Sequence, residues 1–230
     1  MRKIVELFLI VAIAVPSVAF AQQKHETDVV TDVVTMTPKL KAVDRYTLVG
    51  NKNFVKDYAP LNPDGNINVV VEIPTGTIAK WEVTKDNGVL KWQFKQGKPR
   101  IVKYLGYPGN YGMIPRTLLP KDFGGDGDPL DIIVLGPAVQ RGSVVKAKLL
   151  GVLKYLDKGE QDDKLIAVLL DTPLYEVNSL KELDEKFQGV TTIVETWFSN
   201  YKGSGVMEFK GYGTEKEARD ILDAAIKAFK

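Results

Sequence analysis

Gly124-Gly125-Asp126-Gly127-Asp128-Pro129-Leu130-Asp131-Ile132-Ile133-Val134-Leu135 sets three carboxylates on a turn shaped by glycine and proline, and the turn runs straight into an apolar strand. Asp131 is the residue that decides the reading. Aspartate is disfavoured in strands, and an ionised carboxylate beside a core strand needs a compensating partner. A divalent cation supplies one. An ordinary Asp-Gly turn accounts for Asp126 and Asp128 but leaves Asp131 without a reason. A calcium loop of EF-hand type needs Gly at its sixth position and Glu at its twelfth. Counted from Asp126, those places hold Asp131 and Pro137, so that reading fails.

Outward from this stretch, the chain from about Arg45 reads as short strands separated by Gly, Pro, Asn and Asp. Asn68 to Ile73 is a β-rich run that ends at Pro74, and Ala79 to Val83 alternates so that Lys80 and Glu82 share a face. Asp86-Asn87-Gly88 offers a hairpin turn into Val89 to Trp92. Further strands are expected at Ile132 to Leu135, Val144 to Val152 and Leu165 to Leu170. The period then changes. Ser179 with Glu182, and Thr214 with Glu217, fit capping boxes. One apolar stripe follows at Leu180, Leu183, Phe187, Ile193, Val194, Trp197 and Phe198, with a break at Gly189; another runs Ile221, Leu222, Ala225, Ile226 and Phe229. Strands first and helices last predict an α+β domain whose helices pack on a small barrel or curled sheet.

Composition narrows the chemistry. The 230 residues contain no cysteine and one histidine, His25, so thiolate sites, disulfides and nucleophile–histidine pairs are excluded. A metal must be held by oxygen, which selects Mg²⁺, Mn²⁺ or Ca²⁺. The formal charge of +2 lacks the broad basic excess of a nucleic-acid binder.

Arg2 and Lys3, the unbroken apolar run Leu7 to Val15, and Ala19-Phe20-Ala21 before Gln22 follow the layout of a secretory leader. The apolar run is shorter than the roughly 20 residues of a membrane span, so no stable membrane anchor is expected. The expected organisation is a signal peptide over residues 1–21, a flexible arm over 22–45 and one domain over 46–230, in a protein exported to the periplasm or secreted.

A second acidic segment, Asp157-Lys158-Gly159-Glu160-Gln161-Asp162-Asp163-Lys164, lies between two expected strands. Alone it reads as a solvated loop; brought against the first cluster, it would complete a site for two hard cations able to clamp phosphoryl oxygens. Lys80, Arg100, Lys164 and Lys202 each sit at an element edge or beside an acidic or aromatic residue. Tyr107-Pro108-Gly109-Asn110-Tyr111-Gly112 puts two phenols on a tight loop, and Tyr201-Lys202 closes the long helical region. Arginine forks, lysine charges and phenols are the groups that hold phosphate oxygens.

These residues resemble family I soluble inorganic pyrophosphatases. The resemblance rests on Asp126-Gly-Asp128-Pro-Leu-Asp131, with Val71-Glu72-Ile73-Pro74, Lys80-Trp81-Glu82, Tyr107 to Gly112, Gly151 to Lys154, Asp157 to Leu165 and Tyr201-Lys202 in continuous order from about Asn53. It implies a five-stranded OB-like β-barrel with flanking C-terminal helices. It further implies Asp126, Asp131, Asp157 and Asp162 as metal ligands, Asp128 as general base and Glu72 and Glu82 completing the acidic shell. Lys80, Arg100, Tyr111, Lys164, Tyr201 and Lys202 would hold phosphates, with Tyr107 in support. Arg100 follows the longer, eukaryotic-type spacing, with Lys95 and Lys98 as substitutes for it. Several Mg²⁺ ions per site, with Mn²⁺ as the alternative, a diphosphate substrate and a homo-oligomer belong to the same implication. The expected reaction is hydrolysis of diphosphate by a metal-activated water, with no covalent intermediate. Two rivals stand beside it: a non-catalytic OB-like binding module, and another metal-dependent phosphohydrolase.

Overall fold

The computed structural model describes residues 35–37, 39–120, 125 and 127–229. The leader, most of the arm and Asp126 lie outside these. In chain order the strands are β1 (Thr35–Met36), β2 (Lys41–Asp44), β3 (Thr47–Val49), β4 (Ile67–Ile73), β5 (Trp81–Val83), β6 (Leu90–Trp92), β7 (Phe94–Lys95) and β8 (Lys98–Pro99). There follow β9 (Asn110–Met113), β10 (Asp131–Leu135), β11 (Val144–Asp157), β12 (Glu160–Gln161), β13 (Lys164–Leu169) and β14 (Met207–Gly213). The helices are α1 (Leu180–Lys186), α2 (Val190–Asn200) and α3 (Glu215–Ala228). Among the described residues no helix is long and apolar enough to cross a membrane.

Five strands close on themselves. β4 pairs β9, β9 pairs β10, β10 runs parallel to β13, β13 pairs β11, and β11 returns to β4 through Val144↔Val70 and its neighbours. This is the expected OB-like barrel in an α+β domain. The 14-residue β11 is long enough to serve as its spine, and it also carries β1, β12 and β14. A separate sheet, β2-β3-β6-β5, lies beside it in the chain's first half, so paired strands begin ahead of residue 46.

The apolar runs of β10 and β13 are buried on both faces, as parallel neighbours covered by helices must be. Ile132 and Val134 cluster with Ala218, Leu222 and Ala225 of α3, whereas Ile133 and Leu135 cluster with Leu180 and Leu183 of α1 and Val194, Trp197 and Phe198 of α2. α3 starts on the expected capping box, with the Thr214 side chain accepting from the Glu217 N–H and the Glu217 carboxylate accepting from the Thr214 N–H. Gly189, at φ +87°, makes the break between α1 and α2, a conformation that costs a side chain but not glycine.

Five expectations are corrected. Asn110 to Gly112 is not a loop but part of barrel strand β9. Its register demands glycine at 112, because a Cβ there would stand 1.9 Å from the Val70 carbonyl oxygen. The order is not strands then helices, since β14 intervenes between α2 and α3; its alternation over Met207, Phe209 and the glycines is short and weak. Ile193 is 62% exposed and lies off the buried stripe. The turn between β5 and β6 is wider than an Asn-Gly pair, closed by the Gly88 N–H on the Thr84 carbonyl and the Thr84 N–H on Val89. Ser179 caps α1 by accepting from the Glu182 N–H, but the Glu182 carboxylate accepts from the Asn178 N–H instead of closing the box.

Candidate active site

Parallel pairing of β10 with β13 sets Ile132 against Leu165, so the residues that open the two strands, Asp131 and Lys164, fall side by side at one end of the barrel. β11 ends there too, at Asp157, and the turn through β12 returns Asp162 to the same place, held by its N–H on the Tyr155 carbonyl at 2.9 Å. The two acidic stretches therefore meet. They share a cavity of about 710 Å³ whose wall includes Asp128, Asp131, Asp157 and Asp162 together with Glu72, Glu82, Lys80, Tyr111 and Lys164.

Lys164 is 3% exposed and its Nζ bridges Asp131 Oδ2 at 2.6 Å and Asp162 Oδ1 at 2.5 Å. Burial alone would lower its pKa, but the two carboxylates drive it above the usual lysine value. Reciprocally, burial opposes ionisation of Asp131, yet Lys164, Lys80 and a Tyr111 hydrogen bond bring its pKa below the ordinary aspartate value. Lys202, just past α2, reaches Asp157 Oδ2 at 2.6 Å and Asp162 Oδ2 at 3.6 Å.

Lys80 Nζ lies 4.6 Å from the Tyr111 ring centroid; burial lowers its pKa against the pull of Asp131 and Glu72. Glu72 is 5% exposed and accepts from the Val83 N–H at 2.6 Å. Burial pushes its carboxyl up to about 8, opposed by Lys80. Asp128 pairs with Lys85.

The remaining expected residues stand further back. Tyr107 is buried behind Tyr111, ring centroids 5.2 Å apart. Tyr201 stacks on Trp197 at 4.6 Å and hydrogen-bonds with Lys202, and burial raises the pKa of both phenols. Arg100 is outside the cavity wall and is tied to it through Gln93, whose Oε1 accepts from Arg100 Nη1 at 2.7 Å. Asp126 lies outside the described residues.

Lys85, Gln93 and Asp163 also line the cavity and were not foreseen. Lys85 is out of phase with Lys80 and Glu82, and only the wide β5–β6 turn brings it back. Gln93 carries no charge to flag it. Asp163 was visible as one of a pair, but its role is structural: Oδ1 accepts from the Tyr155 N–H at 3.0 Å.

Nine carboxyl groups and three lysines line this cavity. Among the described residues no three carboxylates are gathered into a ready coordination cluster, because lysine ammonium groups stand between them. The donor set nevertheless fits a hard cation. It is all oxygen, and Asp157 Oδ1 is buried with no hydrogen-bond partner, which a native protein rarely tolerates without an ion or water.

The family model described as "Pyrophosphatase: Inorganic pyrophosphatase" matches residues 69–230. The chain is 36% identical to the inorganic pyrophosphatase of Drosophila melanogaster over 169 residues, covering 66% of this chain and 50% of that protein. It is 35% identical to the inorganic pyrophosphatase of Helicobacter pylori over 166 residues, covering 70% and 90%. The solved inorganic pyrophosphatase from Schistosoma japonicum superposes with a TM-score of 0.74 at 26% identity, covering 80% of this chain and 75% of that one. The chain thus spans about half the length of the Drosophila relative and nearly all of the Helicobacter one.

Proposed function

From the premise that the chain belongs to the inorganic pyrophosphatase family, we propose that it hydrolyses inorganic diphosphate to two orthophosphates with carboxylate-held divalent cations. One observation carries the reading: Lys80, Lys164 and the Tyr111 phenol stand in a cavity where carboxyl groups outnumber ammonium groups nine to three. Such a cavity repels a polyanion unless cations enter with it. Asp131, Asp157 and Asp162, joined by Asp126 from the sequence motif, would hold Mg²⁺. When bound, the cations polarise phosphoryl oxygens and acidify water.

The chain's own groups do the rest. Lys80, Lys164, Lys202 and Tyr111 orient and neutralise the phosphoryl oxygens, which is most of the work in phosphoryl transfer. Asp128 accepts the proton of the attacking water as the new P–O bond forms and the anhydride P–O bond breaks. Lys85 holds Asp128 toward the cavity. An OB-like strand-binding module would instead need a basic groove lined by stacking aromatics, and this wall is acidic.

Phosphate release from diphosphate with Mg²⁺, set against release from a nucleoside triphosphate and against added chelator, tests the reading. Diphosphate should be turned over, the triphosphate far more slowly, and chelator should abolish both. Turnover that survives chelation, or a preference for the triphosphate, would overturn it. The leader pattern of residues 1–21 supports a second proposal, that the chain is exported. N-terminal sequencing of the processed protein should then begin at Gln22, and a chain that retains Met1 in the producing cell refutes it.

A further inference from the structure

Gln93 is joined to three of the residues assigned to the site. Its N–H donates to the Lys80 carbonyl at 2.9 Å, its own carbonyl accepts from the Arg100 N–H at 2.7 Å, and the Arg100 carbonyl accepts the Lys80 N–H at 3.0 Å. Three backbones are thereby locked in a closed ring of hydrogen bonds. The side chain adds a second tie: Oε1 accepts from Arg100 Nη1 at 2.7 Å while Nε2 donates to Glu82 Oε2. Neighbouring Trp92 donates its Nε1–H to the Arg100 carbonyl at 2.8 Å.

An amide is the side chain suited to this place. A carboxylate could accept from Arg100 but would face Glu82 with like charge, and an ammonium could donate to Glu82 but would repel Arg100. The support is needed because Arg100 follows β8, which pairs with β7 over two residue pairs only, Phe94↔Pro99 and Lys95↔Lys98. A ribbon that short does not hold its own orientation, and Phe94 at its base is 50% exposed.

We infer that Gln93 is the positioning residue that ties the Arg100 guanidinium, just behind the cavity wall, to the Glu82 carboxylate on it, so that substrate phosphate meets a preset arginine fork at the cavity's edge. The inference rests on the diphosphatase reading above. It adds a residue that acts through two others.

Three variants test it: Gln93→Met, which keeps length and removes both side-chain bonds; Gln93→Glu, which keeps the acceptor and opposes Glu82; and Gln93→Glu combined with Glu82→Gln, which exchanges donor and acceptor. The readouts are KM and kcat for diphosphate with Mg²⁺, calorimetric affinity for inorganic phosphate, and thermal midpoint. Gln93→Met should raise KM and weaken phosphate binding about tenfold while kcat changes about twofold or less, the pattern of lost binding geometry. Gln93→Glu should weaken phosphate binding similarly, and adding Glu82→Gln should recover about threefold or more of that loss through the restored pair. Wild-type KM and phosphate affinity in Gln93→Met would overturn the inference. So would a loss in Gln93→Glu that the second substitution leaves or deepens, a comparison that stands even where Gln93→Met does not fold. An unsubstituted chain that neither binds phosphate nor hydrolyses diphosphate refutes the diphosphatase reading instead.

Discussion

Replacing Gly112 by alanine strikes the barrel and the site together. The added Cβ would meet the Val70 carbonyl oxygen at 1.9 Å, where ordinary contact begins at 3.4 Å, so β4 and β9 must part by roughly 1.5 Å, beyond the reach of a good hydrogen bond. The pairs at risk are Val71↔Gly112 and Val70↔Met113. Forced overpacking costs about 1–3 kcal/mol, and each ladder bond lost adds about 1 kcal/mol. Lower entropy in the unfolded chain returns about 0.4–1 kcal/mol. The net, about 3 kcal/mol, corresponds to a fall in melting temperature of roughly 6–12 °C for a domain of this size. Calorimetric or circular-dichroism melting of the full chain measures it. Because Tyr111 precedes Gly112 on the same strand and faces Lys80, affinity for phosphate should fall as well. A midpoint within about 2 °C of the unsubstituted chain would show that β9 can shift freely, and the close-packing argument would be wrong.

Asp128→Ala and Asp131→Ala should each lower diphosphate turnover about 100-fold or more while the circular-dichroism spectrum is kept; near-normal turnover in either removes that residue from the mechanism. Glu72 gives a pH prediction. Its folded carboxyl, raised by burial to about 8 from the ordinary 4.5, binds a proton that the unfolded chain has released. Stability contributed by this group is therefore full below about pH 4.5 and is lost as pH rises through about 8. Glu72→Gln keeps an acceptor for the Val83 N–H and cannot titrate, so its denaturation midpoint should fall less between pH 5 and 8.5 than that of the unsubstituted chain. Parallel profiles would refute the buried-proton account.

The barrel and the site were legible in the sequence to different depths. Asp131, an aspartate opening an apolar strand, calls for a compensating charge that the sequence alone reads as a divalent cation; the structure sets the Lys164 ammonium against it, with Lys80 nearby. The β10 and β13 runs were plain because parallel strands buried on both faces are apolar throughout. β9 was misread because Gly109, Asn110 and Gly112 signal a turn locally, while the actual reason for glycine is the approach of another strand, which no local pattern contains. β14 was hidden because glycine and lysine interrupt its alternation. Lys85 and Gln93 escaped for a related reason: their importance lies in which distant residues they touch, and neither type advertises it.

The pairing of Val70 with Val144 has a consequence for the order in which the molecule can be assembled. The ring cannot close until the ribosome has emitted both partners, and long-separation pairing of this sort is slow to find. Lys202, which stands behind the cavity wall, is made later still, and it grips the aspartate at the far end of the spine strand. Until β13 is made, the two acidic stretches have no pairing that brings them together. A nascent chain thus lacks the Asp157–Lys202 pair until most of its length has arrived.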